Sequence, residues 1–514
     1  MSNIVGIDLG TTFSALAMLN TIGKPEIIPN ADGERIMPSA LFFDEEEADL
    51  IRVGVEAINS RHLNAQRAVR WIKRHMGDAD FSKNIDGKDW SPVELSSLIL
   101  KKLKQDCSVE CGEIKDAVIS VPAHFDEVRR KATMDAGAMA GLNVIGIVNE
   151  PVAAALYYAT TRKVTGKVLV FDLGGGTFDV TIMDVKGRQM DIICSQGDHA
   201  LGGIDFDKKI LEILEKGYED KFNSELIDSE EDRAKYEDEA EDIKKTLSRR
   251  EVAKKMLYGT EGSVRIEITR QMYEEAIASL LERTDILVEV ALEEARLKPE
   301  EINTVLLVGG STRMPVVQER LTKLFGFAPE TAVNVDECVA LGAALQAGLI
   351  LMRENPEAVP PGIASGLEDI NLIDVCNHSY GTICAPINKE TGKRVMQNMI
   401  ILRKNTPLPC EATQTFYTVS QGQDTVEVTI TQGEDKAVEY VNKIATHKFD
   451  LPEDRPAECP IKVTYSYDVN QRMHCKFEDV ESGRVLEVAL GLNNGKMCEQ
   501  KINENSKLKN VTVS

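Results

Sequence analysis

The sequence predicts an α/β domain of two similar lobes followed by an antiparallel β-sandwich. Three features carry that expectation. Up to about residue 350, short apolar strands alternate with amphipathic helical stretches, the pattern of an α/β architecture. Within that region one phrase occurs twice, as GIDLGTTFSA at 6–15 and FDLGGGTFDV at 171–180. Beyond residue 375 the apolar period changes from 3.6 to 2. In DTVEVTI (424–430), Val426, Val428 and Ile430 fall on one face, opposite Glu427 and Thr429. Several short alternating strands with turn residues between them argue a sandwich.

Taken in chain order, the strands expected in the first region are IVGI (4–7), AVISV (117–121), NVIGIV (143–148), KVLVF (167–171) and TVLLV (304–308). All five run straight into Asp, Pro, Asn-Glu or Gly-Gly. Ligands of open α/β sheets gather at the carboxyl ends of strands, so this punctuation falls where a site would be. Each Asp-Leu-Gly phrase is followed by an alternating stretch, Ser14–Met18 and Asp179–Met183, which reads as the return strand of a hairpin. Two such hairpins about a lobe's length apart imply two lobes with a cleft between them. Residues 206–258 are highly charged and read as a helical extension of the second lobe. The apolar run from Cys338 to Met352 is interrupted by glycines and falls short of the ~20 residues of a spanning helix; it reads as a core helix.

NPEAVPPGIASGLE (355–368) has a linker composition, and the short apolar segment DINLIDV (369–375) follows it. The expected domains are therefore 1–354, a linker over 355–375, and a sandwich over 376–514. IKVTYSYDV, RMHCKFEDV and RVLEVAL supply further sandwich strands, and no long helix is expected after them. At 514 residues the chain exceeds one ordinary core. Its formal charge of −23 argues against non-specific binding to nucleic acid or an anionic membrane. Ten scattered cysteines without a CxxC pair read as reduced thiols. The start MSN runs directly into a strand, with no basic and apolar leader. A cytoplasmic location is expected.

The repeated phrase poses a physical problem, because an aspartate directly after a buried strand is costly unless something there needs negative charge. A strand–Asp–Leu–Gly–Gly/Thr turn gathers backbone N–H groups that can cradle phosphate, and Thr11, Thr12 and Thr177 add hydroxyls. The carboxylates of Asp8, Asp172 and Asp179 would repel phosphate unless a divalent cation lay between them. Mg²⁺ suits, since it keeps several waters and binds through few carboxylates plus phosphate oxygens. Neither phrase is a P-loop or a dinucleotide fingerprint. Farther along, Glu241, Lys244 and Ser248 share one helical face, with Lys245 at i+4 from Glu241.

The order GIDLGTT (6–12), WIKRHMG (71–77), ISVPAHF (119–125), NEPVAAAL (149–156), FDLGGGTFDV, LGGIDFD (201–207), EDIKKTLS (241–248), VLLVGGSTRMP (305–315) and VDECVALGAALQAG (335–348) closely resembles the DnaK-type 70-kDa heat-shock chaperones. RKNTPLP (403–409), QTFYT (414–418) and VTITQGED (428–435) are similar to that family's substrate-binding β-domain. The resemblance implies an actin-like two-lobed ATPase domain and an ATP-driven chaperone acting on unfolded or extended apolar polypeptide. It further implies a J-domain co-chaperone and a nucleotide-exchange factor as partners, with ATP/ADP and Mg²⁺ as cofactors.

Residue by residue, the resemblance assigns the metal shell to Asp8 and Asp172, through water. It gives the phosphates to Gly10, Thr11, Thr12, Phe13, Gly174, Gly175, Gly176, Gly202 and Gly203. Lys73 falls on the catalytic lysine, Glu150 and Asp179 on the acids near the attacking water, and Thr177 on the threonine that orients it. Glu241 and Lys244 would take the ribose and Ser248 the base, with the stem of Lys245 stacked on it opposite Arg313; Gly309, Gly310, Ser311 and Asp336 complete that side. Pro122 and Arg130 fit the relay to the linker, in which Asp369, Leu372 and Asp374 lie. His124 stands where the family has tyrosine, and Asn371 stands where the family's linker has a run of leucines, a departure that bears on how strongly the linker docks. Phe416, Val426 and Val428 match the floor of the peptide pocket, and the loop 376–392 departs from the usual pattern. The helical lid of the family has no counterpart in the sequence, as in a truncated chain or a short-form member. Two other classes remain at this point, an actin-like small-molecule kinase and a largely non-hydrolysing partner of another chaperone.

Overall fold

Two six-stranded sheets repeat one strand order. In the first, Asn143–Asn149, Ile114–Val121 and Asn3–Leu9 run parallel; Phe13–Leu19 and Pro25–Ile27 continue antiparallel, and Met37–Pro38 pairs with Phe13–Leu19. In the second, Glu330–Thr331, Thr304–Val308 and Thr165–Leu173 run parallel, and Phe178–Lys186 and Gln189–Asp198 continue antiparallel. Both Asp-Leu-Gly phrases thus occupy the same place in their sheets. The register sets Asp8 opposite Ala15, and Asp172 opposite Asp179. This computed structural model describes residues 3–490 and 506–514, apart from 48, 163, 332–333, 388–391 and 510.

The sheets share one apolar core. Helices Glu150–Thr161 and Cys338–Glu354 lie between them and bury side chains against Ala15, Val118 and Val148 on one side and Val168, Met183 and Leu306 on the other. They pack so closely that a Cβ on Gly342 would overlap the Ala153 carbonyl, which restricts the position to glycine. The apolar run of 338–352 is therefore a buried core helix; among the described residues no helix is long and apolar enough to cross a membrane. Each lobe adds its own outer core.

The charged stretch after residue 206 is helical only in part. Helices Gly203–Phe222 and Glu230–Leu247 are followed by an antiparallel hairpin, Val252–Gly259 with Gly262–Thr269. The expectation of helix to 258 is corrected here: alternation over VAKKMLYG buries Ala253 and Leu257, a half-buried strand masked by charge in the sequence. Residues 355–368, expected as a spacer, fold as a short turn and the helix Pro361–Leu367, whose Leu367 is buried in the core between the lobes. The segment after it docks. Asn371–Ile373 adds a sixth strand, parallel to Gln189–Asp191, on the edge of the second sheet. The Asn371 side chain is exposed, and its N–H donates to Arg188 O at 3.0 Å.

Beyond it, two four-stranded antiparallel sheets stack as a sandwich. One orders Gln397–Leu402, Tyr380–Cys384, Thr425–Gln432 and Asn442–Asp450; the other Cys410–Tyr417, Pro460–Tyr467, Met473–Asp479 and Val485–Leu490. Their facing side chains, among them Val428, Ile430, Tyr465 and Phe477, form a single core. The last described segment then returns to the first lobe. Thr512–Val513 pairs in parallel with Leu50–Ile51, and Leu508, Val511 and Val513 are buried in that lobe's core. No free-standing lid helix is seen among the described residues after 490, where only the short helix Ser506–Lys509 occurs.

Candidate functional site

Strand ends and turns carry the chemistry to one cleft. Thr12, Phe13, Gly175, Gly203, Glu241, Lys244, Lys245, Ser248, Gly310, Ser311, Arg313 and Asp336 line one cavity of about 370 Å³ between the lobes. Gly10, Thr11, Gly174, Gly176, Thr177, Gly202 and Gly309 belong to the turns that carry them. Gly174 N–H donates to Thr177 O at 3.0 Å, Gly203 N–H to Gly174 O at 3.0 Å, and Ser311 Oγ to Gly174 O at 2.9 Å. The two hairpin turns touch. A Cβ on Gly175 would stand 2.6 Å from Thr12 Cγ2, and one on Gly176 2.6 Å from Thr11 Cγ2, so bare backbone is needed for the turns to close on each other.

Beside the cavity lies a buried cluster of acids. Asp8, Glu150, Asp172 and Asp179 surround a single ammonium, Lys73, and all five are buried or nearly so. Lys73 pairs with Glu150, and Asp8 accepts from Ser120 Oγ at 2.7 Å. Burial draws the Lys73 ammonium down, but Glu150 and Asp8 outweigh it, so its pKa is raised. Burial raises the carboxyls of Asp8 and Glu150 and holds that of Asp172 well above its usual range, helped by Glu150 and Asp179. Burial, then Glu150, pushes Asp179 to about 8. Four acids around one lysine leave negative charge uncompensated, which desolvation makes costly. A cation between the hairpins would relieve it. Among the described residues no three side chains stand close enough together to ligate a metal directly.

At the other end of the cavity the helix Glu230–Leu247 presents Glu241, Lys244 and Lys245, with Ser248 as its cap. Lys244 donates to Asp207 at 2.7 Å and to Gly203 O at 3.0 Å; Lys245 pairs with Glu241 at 2.8 Å and Arg313 with Asp336 at 2.7 Å. The stems of Lys245 and Arg313 are more than half exposed.

The reading from sequence missed Ile36, Trp71, Ile204, Asp207 and Met314, which also line the cavity. Asp207 and Ile204 lie inside LGGIDFD, and Trp71 opens WIKRHMG, so the motifs were visible while these roles were not. Trp71 has φ 59°, its ring lies 4.7 Å beneath the Arg70 guanidinium, and among the described residues its Nε1 is buried without a hydrogen-bond partner.

A second cavity of about 360 Å³ opens in the sandwich, lined by Phe416, Val426 and Val428 together with Met396, Met399 and Tyr417. Met396 and Tyr417 are about 60% exposed (61% and 62%). Loop 376–392 contributes Thr382 to Pro386; its residues 388–391 lie outside the described ones.

Hydrogen bonds join the segment beside the acid cluster to the sandwich and to the docked strand. Asp126 caps helix Glu127–Met139, which fixes Arg130, buried to 1% exposure. Arg130 donates to Asn149 Oδ1 at 2.6 Å, to Gln471 Oε1 at 2.5 Å and to Phe125 O at 3.0 Å. Asn149, which directly precedes Glu150, donates to Asp374 at 3.3 Å, and Gln471 donates to Asp374 as well. Glu127 accepts from Tyr380 and Tyr467 of the sandwich, both at 2.8 Å. Pro122 is buried at the start of this loop. Nearby, His124 N–H donates to Asp179 at 3.1 Å, and its ring meets His378 of the sandwich edge-on at 5.4 Å. Leu372 packs against the core between the lobes. Asp369 is exposed and turns the chain with φ 67°.

A family model described as "Hsp70 protein" matches residues 4–510. A "Chaperone protein DnaK" from Thermosipho melanesiensis is 36% identical over 98% of this chain and 82% of its own length. Those of Thermosipho africanus and Thermotoga neapolitana are 37% and 36% identical, each over 94% of this chain and over 78% and 79% of their own. The class these matches define is an ATP-dependent chaperone, an ATPase by activity. More particularly, the chain belongs to the Hsp70 family, which favours neither a small-molecule kinase nor a non-hydrolysing partner.

Proposed function

We propose that this chain hydrolyses ATP in an actin-like cleft and uses the nucleotide state to set the grip of its sandwich on extended apolar polypeptide. The observation that carries this reading is the set of polar contacts from the acid cluster beside the cleft to the sandwich and the docked strand: Lys73 on Glu150, Asn149 next to it in the chain, then Arg130, Gln471 and Asp374. A change at the cleft that moves Asn149–Glu150 is felt at once by the sandwich and by the docked strand.

In this reading Asp8 and Asp172 hold a hydrated Mg²⁺, in keeping with the excess of buried acid and the lack of direct ligands. Bound there, the ion offsets charge on the phosphate oxygens. The N–H groups of the Thr11–Thr12 and Gly174–Thr177 turns hold the phosphates, and Lys73 offsets charge developing on the transferred group. Asp179 and Glu150 keep the attacking water in place, with Thr177 orienting it. Glu241 and Lys244 hold the ribose and Ser248 the base, flanked by the stems of Lys245 and Arg313.

Peptide enters the groove as an extended strand, held by main-chain hydrogen bonds with side chains in pockets. Phe416, Val426 and Val428 form the floor. The expected domains 1–354 and 376–514, coupled by 355–375, are corrected at the end of the chain: the sandwich strands run to Leu490, and the returning segment, with Thr512–Val513 paired to Leu50–Ile51, packs with the first lobe. Partners are unfolded clients, a J-domain co-chaperone and an exchange factor, in the cytoplasm.

The test is single-turnover hydrolysis of Mg·ATP with and without an unfolded apolar peptide. The expected result is slow hydrolysis that peptide accelerates, together with tighter peptide binding in ADP than in ATP, as reciprocal linkage demands. Hydrolysis indifferent to peptide would leave the ATPase standing and remove the coupling.

A further inference from the structure

We propose that Trp71 is a nucleotide-contacting residue whose indole N–H donates to a ribose or phosphate oxygen and whose ring retains the nucleotide in the cleft. This rests on the reading of the cleft as an ATP site and adds a contact to it. Trp71 lines the cavity from the first lobe, facing Glu241, Lys244 and Arg313 of the second. Two residues before Lys73 and next to Arg70, which reaches Glu241 at 3.5 Å, it lies between the acid cluster and the ribose end.

The backbone is shaped to put the ring there. At φ 59°, Trp71 occupies a left-handed conformation that bulky residues rarely adopt and that persists only where the surroundings over-determine it. Those surroundings are visible. Lys73 is anchored on Glu150, and Arg74 on Asp205 and Gly176 O. On the other side Arg70 lies over the indole and reaches across the cleft to Asp238 at 3.0 Å. The ring is held between a lobe-to-lobe ion pair and the cavity.

The polar atom of that ring has no acceptor of its own. Nε1 is buried, and among the described residues nothing accepts from it. Indole nitrogen can only donate, and a buried donor left unpaired is unfavourable; the ring lines the cavity, and a small turn that opens Nε1 to it lets the occupant supply the acceptor. Ribose hydroxyls and phosphate oxygens provide several. An apolar wall residue would satisfy the shape of the site without a strained backbone or an orphan donor.

The chain has two tryptophans, and Trp90 lies in the outer core of the first lobe, so Trp90→Phe leaves Trp71 as the sole emitter. Titrating that variant with Mg·ADP or Mg·ATP should change its emission saturably, with the same midpoint as calorimetry. In the otherwise native chain, Trp71→Phe keeps a ring and removes the donor. Stopped-flow release of a labelled ADP should then quicken by roughly tenfold, the scale of one lost hydrogen bond, with most of the loss in release rather than in hydrolysis of bound ATP. Unchanged release, or flat Trp71 emission while calorimetry records Mg·ATP uptake, would overturn the contact and leave the ATP site intact. Calorimetry without uptake would remove the ATP-site reading and this inference together.

Discussion

The two Asp-Leu-Gly hairpins are built on one plan and differ at one decisive position. In the first lobe the return strand places Ala15 opposite Asp8; in the second it places Asp179 opposite Asp172. The first lobe supplies its remaining charges from elsewhere, Lys73 from a short helical turn and Glu150 from the start of a helix. The duplicated part is thus the cradle, a strand, an acid and a turn of N–H groups. The unduplicated part, Asp179 with its raised pKa and its N–H bond from His124, is what a symmetric pair of hairpins would lack. The comparison teaches that the strand, acid and turn are shared between the lobes while Asp179 and the Lys73 ammonium are contributed unequally.

The strongest way to break that division is Lys73→Ala. It strands Glu150 among three other acids, and single-turnover hydrolysis should fall by about 10³-fold while calorimetry still detects nucleotide. Loss of binding instead of turnover would make Lys73 part of the cradle. Next, Asp179→Asn should lower hydrolysis about 10²-fold and spare affinity, whereas Asp8→Asn should weaken the Mg²⁺ dependence of binding. Identical phenotypes for the two would erase the distinction drawn between the hairpins.

A smaller effect tests the contact between the turns. Gly176→Ala drives a Cβ to 2.6 Å from Thr11 Cγ2, so Mg·ATP affinity measured by calorimetry should drop by roughly tenfold, typical of a 1–2 kcal/mol overpacking. Wild-type affinity would mean that the turns separate when nucleotide is held.

The smallest concerns the sandwich side of Asp179. Burial, with His124 and Arg130 nearby, depresses His378 from 6.5 to about 3, so its docked ring is neutral. Released, it would bind a proton below about pH 6.5, and docking therefore weakens as pH falls through that range. Asp374 opposes it. Burial raises its carboxyl to about 6, so it takes up a proton when docked and strengthens docking between pH 6 and 4. His378→Asn should remove the acid weakening and Asp374→Asn deepen it, read as interdomain energy transfer at pH 7.5 and 5.5. Two profiles that both match the parent would exclude these groups from the interface balance.

Much of this plan was legible because its signals are local. Alternation within a strand and an acid directly after it need only a handful of neighbouring residues, so the central strands of both sheets and Asp8, Asp172 and Asp179 could be read from the chain, whereas Glu150 came only with the resemblance and the short edge strands Pro25–Ile27 and Glu330–Thr331 were not read. Asp207 and Trp71 could not, because their significance comes from Lys244 and Arg70–Glu241, partners contributed by other elements. The hairpin over 252–269 was hidden because Lys254, Lys255 and Glu267 project from a mostly exposed ribbon, which dilutes a period of 2. Residues 506–514 are too few for any period to register, and their apolar side chains acquire meaning only in the core of the first lobe.

That returning segment changes what kind of object the sandwich is. With Thr512–Val513 bonded to Leu50–Ile51 and Asn371–Ile373 bonded to Gln189–Asp191, it is a loop between two anchors rather than a pendant on a single string. Even with every side-chain contact to the lobes broken, its re-encounter is intramolecular, at an effective concentration on the order of millimolar. A force applied through residues 506–514 is delivered to the roof of the first lobe as well as to the sandwich.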